Sequence, residues 1–282
     1  MPLHPHPVME QIRITELYTL FEILREDNFP FKGESHNFWE CLYIVSGSLC
    51  ISADERVYQA EQGSLIFHKP MEFHKFHVTH KDGAVLFIFT FSAEGPLTDY
   101  LQNKVFCLTE SQTLWISSLL DFLHSKTSHG PLVPNIYQEY LTPWSSNPSY
   151  GHTVATYLEQ LFLSLSENSN LSRTSVHESA IIFSQAVGYL NTNVHRQPTV
   201  LEIADHCHVS ESKIKRIFLQ YSGISVHKYL LNIKIKASMK LLSDGESVAY
   251  VSEKLGFANP CYFSKAFKRE TGMNPSSYRQ LP

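Results

Sequence analysis

Two short stretches near the carboxyl end of the chain combine lysine, arginine and small hydrogen-bonding side chains at helical spacing. The residues concerned are Ser212, Lys213, Lys215, Arg216, Cys261, Tyr262, Ser264, Lys265, Lys268 and Arg269. A short helix with one cationic, hydrogen-bonding face fits the DNA major groove, where such side chains contact phosphates and base edges. We therefore predict that both stretches bind double-stranded DNA. The alternative reading is two solvated basic faces on an interaction domain.

These stretches belong to a unit that occurs twice in the chain. Phe218 and Phe267 are 49 positions apart, and so are Gly223 and Gly272. Several coincident pairs at one offset indicate an internal duplication. Each copy therefore carries the same local structure, with a matching set of outward-facing residues.

Each copy is predicted to form a helix, a tight turn and a second helix. Ser210 and Asn259 are placed to N-cap the two second helices, and Gly223 and Gly272 to end them. Gly256 permits the turn in the second copy. The residues predicted to face inward are Leu201, Ile203, Ala204, Ile214, Ile217, Phe218, Tyr221, Val248, Val251, Leu255, Phe263, Ala266 and Phe267.

The segment from Val176 to Arg279 resembles the AraC/XylS-type DNA-binding domain, most specifically in "GFANPCYFSKAFKRETGMNPSSYR". The resemblance implies two helix-turn-helix units on one long helix, each placing its second helix in one of two successive major grooves. Lys265 and Lys234 stand where the family commonly has arginine. Lysine keeps the charge but loses the bidentate fork, so phosphate contact by Lys265 is favoured over base reading.

In residues from about 31 to 91, short apolar runs alternate with turn residues, a pattern that predicts short β-strands. Asp82-Gly83 is the strongest hairpin signal among the turns. The spacing of His36, Glu40 and Gly47 resembles the first motif of cupin barrels. The fold class expected is two-domain α+β, with an N-terminal cupin-like β-barrel and flanking helices before a C-terminal all-α double helix-turn-helix domain.

His36, Glu40 and His74 are the candidate effector-binding residues of this barrel. Imidazole and carboxylate groups also suit a transition metal, and a purely structural role is a third reading. Glu34 stands where metal-binding cupins have a histidine, and the resemblance implies an effector bound without metal. We therefore expect a small-molecule effector, sugar-related as in many barrel-bearing members, and no metal or other cofactor.

Two amphipathic helices are predicted after the barrel, at 109–125 and about 152–165. Leu114 and Trp115 are placed on the inward face of the first, and Leu161 and Phe162 on that of the second. The resemblance favours a homodimer interface over simple packing on the barrel. The domains expected are a sensor barrel at 1–108, a helical dimerisation region at 109–165, a linker at 166–175 and the DNA-binding domain at 176–282.

The distribution of charge separates the two halves of the chain. The overall net charge is −4, but residues 176–282 carry +5 and the remainder −9. This asymmetry suits a sensor joined to a nucleic-acid binder. Five scattered cysteines and the lack of a recognisable leader or apolar span favour a cytoplasmic protein without membrane contact.

The sequence thus favours an effector-controlled transcription regulator with no catalytic residues, and RNA polymerase is a further candidate partner. Two other classes stay open at this point. One is a metal-dependent cupin isomerase or dioxygenase with a helical appendage. The other is an architectural DNA-binding protein without a ligand.

Overall fold

The computed structural model describes residues 6–27, 29, 31–127, 132–142, 146–167, 170–171 and 178–280. Its first half is rich in strands and its second half is helical. Most of the expected linker at 166–175 and residue 176 lie outside the described residues. Helix α4 is seen from Glu178, close to the predicted start of the DNA-binding domain.

Two antiparallel sheets form the barrel. The larger sheet has the strand order β10-β8-β5-β2-β7-β1-β9, and the smaller has the order β4-β3-β6. The strands are β1 Arg13–Arg25, β2 Trp39–Ser46, β3 Ser48–Ala53, β4 Arg56–Glu61, β5 Ser64–His68, β6 His74–Val78, β7 Ala84–Glu94, β8 Val105–Cys107, β9 Tyr137–Glu139 and β10 Asn170–Leu171. The short helix α1, Leu97–Leu101, follows β7.

The interior of the barrel is apolar along most of its length. Leu42 and Ile44 of the larger sheet belong to one buried cluster with Ile51 and Phe76 of the smaller sheet. Because side chains alternate along a strand, Glu40 shares the interior face of β2 with Leu42 and Ile44. The same alternation places His74 inward on β6, and both polar residues are buried.

Asp82-Gly83 does not form the predicted hairpin. Strand β6 before it pairs with β3, whereas β7 after it pairs with β1 and β2. Gly83 adopts the positive φ of +87° that a tight turn requires. The turn, however, takes the chain from one sheet to the other. The predicted turn at Asp54 does form a hairpin, because it joins the paired strands β3 and β4.

Helices α2, Glu110–Ser125, and α3, Pro148–Glu167, pack on the outer face of the larger sheet. Leu161 and Phe162 are buried there against sheet residues such as Phe89 and Phe91. The prediction that Leu161 and Phe162 form a dimer interface is therefore wrong, because both side chains cover the barrel.

The inward assignment of Leu114 and Trp115 on α2 is also wrong. Leu114 is 67% exposed and Trp115 is 38% exposed, whereas Leu119 and Leu123 are buried. The helix buries Ile116 in their place. The apolar stripe of α2 is thus wider than the surface it covers.

From Glu178 to residue 280 the regular structure is all helical. Its helices are α4 Glu178–Thr192, α5 Val200–His206, α6 Glu211–Ser222, α7 Val226–Ser243, α8 Val248–Lys254, α9 Pro260–Thr271 and α10 Pro275–Tyr278. Helices α5 and α6 form the first helix-turn-helix unit, and α8 and α9 form the second. Helix α7 joins them, as the resemblance implied.

The predicted helix ends are confirmed in both units. The Ser210 side chain accepts a hydrogen bond from the Lys213 amide, and the Asn259 side chain accepts one from the Tyr262 amide. Gly223 and Gly272 end α6 and α9 in the left-handed conformation. The matching caps give the two second helices the same length of twelve residues.

Each unit has its own core. Phe218 and Tyr221 of α6 are buried with Phe183 of α4, and Phe263 and Phe267 of α9 are buried with Val251 of α8. The inward predictions are confirmed except at Leu201, which is 54% exposed. Helix α5 is only two turns long and buries Ile203 and Ala204 without it.

Candidate functional site

Helix α6 presents its polar face to solvent in the first unit. Ser212, Lys215 and Arg216 are exposed, and Lys213 is half-buried. The Lys213 ammonium lies 3.0 Å from a carboxylate oxygen of Glu178 at the start of α4. Ion pairs this exposed contribute little stability, so Lys213 stays available to a phosphate.

Helix α9 presents the equivalent face in the second unit. Cys261, Tyr262, Lys265, Lys268 and Arg269 are exposed, and Ser264 is half-buried. With the offset of 49, Ser212 corresponds to Cys261 and Arg216 to Lys265. The structure therefore displays all the residues predicted to bind DNA on the second helix of each unit.

A buried lysine that the sequence analysis treated only as a substitution supports the second unit. Lys234 on α7 is 2% exposed, and its ammonium donates to the carbonyls of Leu255, at 2.7 Å, and Gly256, at 3.2 Å. Burial lowers the pKa of Lys234 to about 8. The ammonium occupies the carboxyl end of α8, where a cation complements the helix dipole, and fixes the turn into α9.

A second polar site lies inside one end of the barrel. His36, Glu40 and His74 are brought together there, together with Glu34, which sequence analysis did not assign to the site. One ligand atom from each of the four lies within 4.8 Å of the others. Glu40 is 5% exposed and His74 is 1% exposed.

The charges of this cluster are coupled. Burial disfavours the imidazolium form of His74, but the nearby carboxylates of Glu34 and Glu40 outweigh it and raise the pKa of His74 to about 10. Burial likewise disfavours the Glu40 carboxylate, but His36 and His74 outweigh it and lower the pKa of Glu40. The cluster thus holds separated charges away from water.

A second layer of polar residues supports the cluster, and its members Arg56 and Glu72 were not predicted from sequence. The His68 ring stacks on His74 with centroids 4.2 Å apart, and its Nδ1 lies 2.8 Å from a Glu72 carboxylate oxygen. Arg56 pairs with the other oxygen of Glu72 at 2.5 Å. The four-residue spacing of His68 and Glu72 could have indicated that the two side chains pair. Such spacing brings side chains together on a helix, however, and here His68 ends a strand.

The barrel site lies one residue from the contact with the helical domain. His74 points into the barrel, while the next residue, Lys75, donates to the carbonyls of Leu219 and Gln220 at the end of α6. The Ser52 hydroxyl donates to the Tyr221 carbonyl. Strand β6 therefore carries His74 of the polar cluster on one face and contacts the first helix-turn-helix unit through its other face.

The turn between β3 and β4 makes a further contact. The Asp54 carboxylate lies 2.6 Å from the Lys236 ammonium on α7, and it also accepts a hydrogen bond from the Phe73 amide. Cys50 and Val57 of the smaller sheet are buried in the core of the first unit. The two domains therefore share apolar and polar contacts.

Two family models match the chain. A model described as an AraC-like ligand binding domain matches residues 17–182, which is more than half of the chain. A model described as a helix-turn-helix domain matches residues 203–281. The boundary between the matches falls near the change from strands to helices.

Similar proteins carry names of regulators. The chain is 22% identical over 262 residues to an uncharacterized HTH-type transcriptional regulator, YfiF of Bacillus subtilis, covering 87% of this chain and 78% of YfiF. It is 32% identical over 130 residues to the Msm operon regulatory protein of Streptococcus mutans, covering 45% of this chain and 44% of that protein.

Among solved structures, the chain is similar to ToxT of Vibrio cholerae. The identity is 14%, the match covers 93% of this chain and 95% of ToxT, and the TM-score is 0.38. A likeness this distant supports no conclusion about function.

Proposed function

The chain belongs to the AraC family of transcription regulators, with an effector-binding domain before its helix-turn-helix DNA-binding domain, and on that premise we propose how it reads DNA. Helices α6 and α9 enter two successive major grooves on one face of a promoter. The observation that carries this proposal is the paired exposure of equivalent cationic faces on two capped helices of equal length. The alternative of a cupin enzyme finds no support in the family matched.

Phosphate contacts supply most of the affinity in this proposal. Lys213 and Lys215 on α6 and Lys265, Lys268 and Arg269 on α9 form the cationic faces. Neutralising phosphates releases counterions, so binding weakens steeply as salt rises. Arg216 is the guanidinium on α6 that can read a base with a bidentate contact.

An effector bound by His36, Glu40 and His74 would control how the DNA-binding units are presented. The support for this step is the position of the site, since β6 carries His74 inward and Lys75 outward against α6. An effector shifts the balance of two states only by its differential affinity for them. Movement of β6 changes the contact that Lys75 makes with the end of α6.

The homodimer stays a prediction, and its candidate face moves from the buried side of α3 to the outer side of α2 and α3. Leu114, Trp115 and Leu163 are exposed there, at 67%, 38% and 41%. RNA polymerase contact and cytoplasmic location are proposals that follow from a role at promoters. No helix in the described ranges is long and apolar enough to cross a membrane.

Replacing Arg216 with alanine tests the DNA-binding face directly. We expect promoter affinity to weaken by about 1–3 kcal/mol, the range of one good bidentate base contact. Fluorescence anisotropy with a labelled duplex from the region upstream of the gene measures the change. Arg13→Ala is the matched control, because Arg13 is an exposed arginine on barrel strand β1. Equal affinity of the Arg216 variant and wild type would remove Arg216 from the interface.

A further inference from the structure

The histidine rings of the barrel cluster are oriented by backbone carbonyls. Nδ1 of His36 lies 3.0 Å from the Phe38 carbonyl oxygen, and Nδ1 of His74 lies 3.2 Å from the Glu72 carbonyl oxygen. A carbonyl only accepts, so Nδ1 carries the hydrogen in both rings. Nε2 of each ring then faces the cluster. Histidines that bind metals are oriented by the same kind of outer hydrogen bond.

The atoms that meet in the middle of the cluster are imidazole nitrogens and carboxylate oxygens. Nε2 of His36 lies 3.3 Å from Oε2 of Glu40, and Nε2 of His74 lies 3.4 Å from Oε1 of Glu40 and 3.8 Å from Oε1 of Glu34. Nε2 of His74 is buried and has no hydrogen-bond partner among the described residues. A buried polar atom without a hydrogen-bond partner is costly, which favours a group placed between these atoms.

The distances between the atoms also favour a bound cation. A hydrogen bond between an imidazolium and a carboxylate is about 2.7–2.9 Å long. Ligand atoms about 2.0–2.1 Å from a tetrahedral ion are instead about 3.3–3.4 Å apart. The separations of 3.3 and 3.4 Å are close to the second spacing, and the separation of 3.8 Å is longer.

The size and charge of the cluster also favour an ion. One ligand atom from each of the four residues lies within 4.8 Å of the others, so the four side chains converge on one small volume. Two carboxylates balance a divalent charge, and two imidazoles with two carboxylates suit first-row transition metals. Glu34 is half exposed, at 51% of its side chain, and lies at the mouth of the site. It gives the ion a path from solvent.

We propose that Glu34, His36, Glu40 and His74 bind one divalent first-row transition-metal ion at the polar end of the barrel. The inference rests on the proposed function in taking the barrel as the sensing domain, and it names the effector as a metal cation rather than a sugar. The expectation of no metal came from the family resemblance and from Glu34 replacing a histidine, but a glutamate also supplies a ligand oxygen, and Glu34 lies in the cluster.

The test uses the full chain, freed of any affinity tag and stripped with a chelator. Equilibrium dialysis against Co²⁺ or Mn²⁺ followed by elemental analysis is expected to give one ion per chain. Co²⁺ is expected to add a visible absorption band without the intense near-ultraviolet band of thiolate ligation. Glu34→Gln and His36→Gln are expected to weaken binding at least about tenfold. These residues are less buried than His74, so the variants are expected to fold.

His80→Gln is the matched control, because His80 is an exposed histidine outside the cluster, and it is expected to bind like wild type. Absence of stoichiometric binding, or equal affinity in the Glu34 and His36 variants, would overturn the metal site. DNA binding measured on the same samples separates the two proposals. Duplex binding without metal binding overturns only the metal site, and metal binding without affinity for any duplex overturns only the proposed function.

Discussion

Replacing Phe267 with alanine is expected to destabilise the second helix-turn-helix unit by about 3–5 kcal/mol, the cost of truncating a buried aromatic side chain. Phe267 is fully buried, and its ring packs between those of Phe263, at 5.7 Å, and Tyr278, at 5.5 Å. The truncation leaves a cavity in a core supplied by only a few helices. Little surrounding structure is therefore available to fill it.

Hydrogen exchange of the α9 amides in the full chain measures this change better than a melting curve, because two domains need not unfold together. Tyr262→Ala is the control on the same helix. Tyr262 is 52% exposed, and the expected loss of stability is under about 1 kcal/mol. Protection of α9 at the wild-type level in the Phe267 variant would contradict its inward assignment.

Replacing Gly256 with alanine is expected to displace the turn between α8 and α9 and to abolish tight DNA binding. Gly256 has a φ of +60°, and a Cβ atom there would lie 2.2 Å from the backbone oxygen of His195. That oxygen belongs to the chain before α5 and cannot rotate away as a side chain would. Both the left-handed conformation and the clash oppose the substitution, so we expect the free energy of unfolding to fall by more than about 2 kcal/mol.

Gly245→Ala separates the two causes. Gly245 also has a positive φ, of +89°, but a Cβ atom there would meet nothing within 4 Å. In the Gly245 variant the free energy of unfolding is expected to fall by only about 1 kcal/mol, the cost of a positive φ at alanine, and DNA affinity is expected to be unchanged. If urea denaturation shows the same loss for both glycines, the close approach to His195 has no energetic role.

The helix-turn-helix units were predictable from sequence because their signals are local. Ser210, Asn259, Gly223 and Gly272 act within a few residues of themselves, and the structure confirms each cap. Duplication then fixed which residues of α9 correspond to those of α6. The outward faces followed, because helical spacing alone separates them from the buried aromatic residues.

The barrel was less predictable because its contacts join distant parts of the chain. Asp82-Gly83 has hairpin chemistry, but local residues do not say that β6 and β7 belong to different sheets. An apolar helix face likewise does not identify the surface that it contacts. Leu161 and Phe162 were therefore predicted at a dimer interface, although they pack on the barrel. Glu34 joins the cluster through an isolated bridge to His74, forty positions away.

The most direct test of the central claim is hydroxyl-radical footprinting of the full chain on its promoter. If α6 and α9, joined by α7, each enter a major groove, two protected patches are expected on one face of the duplex, about one helical turn or 34 Å apart. Arg216→Ala is expected to weaken one patch, and Lys265→Ala the other. A single patch, or protection lost equally from both patches in each variant, would contradict the claim that α6 and α9 read successive grooves.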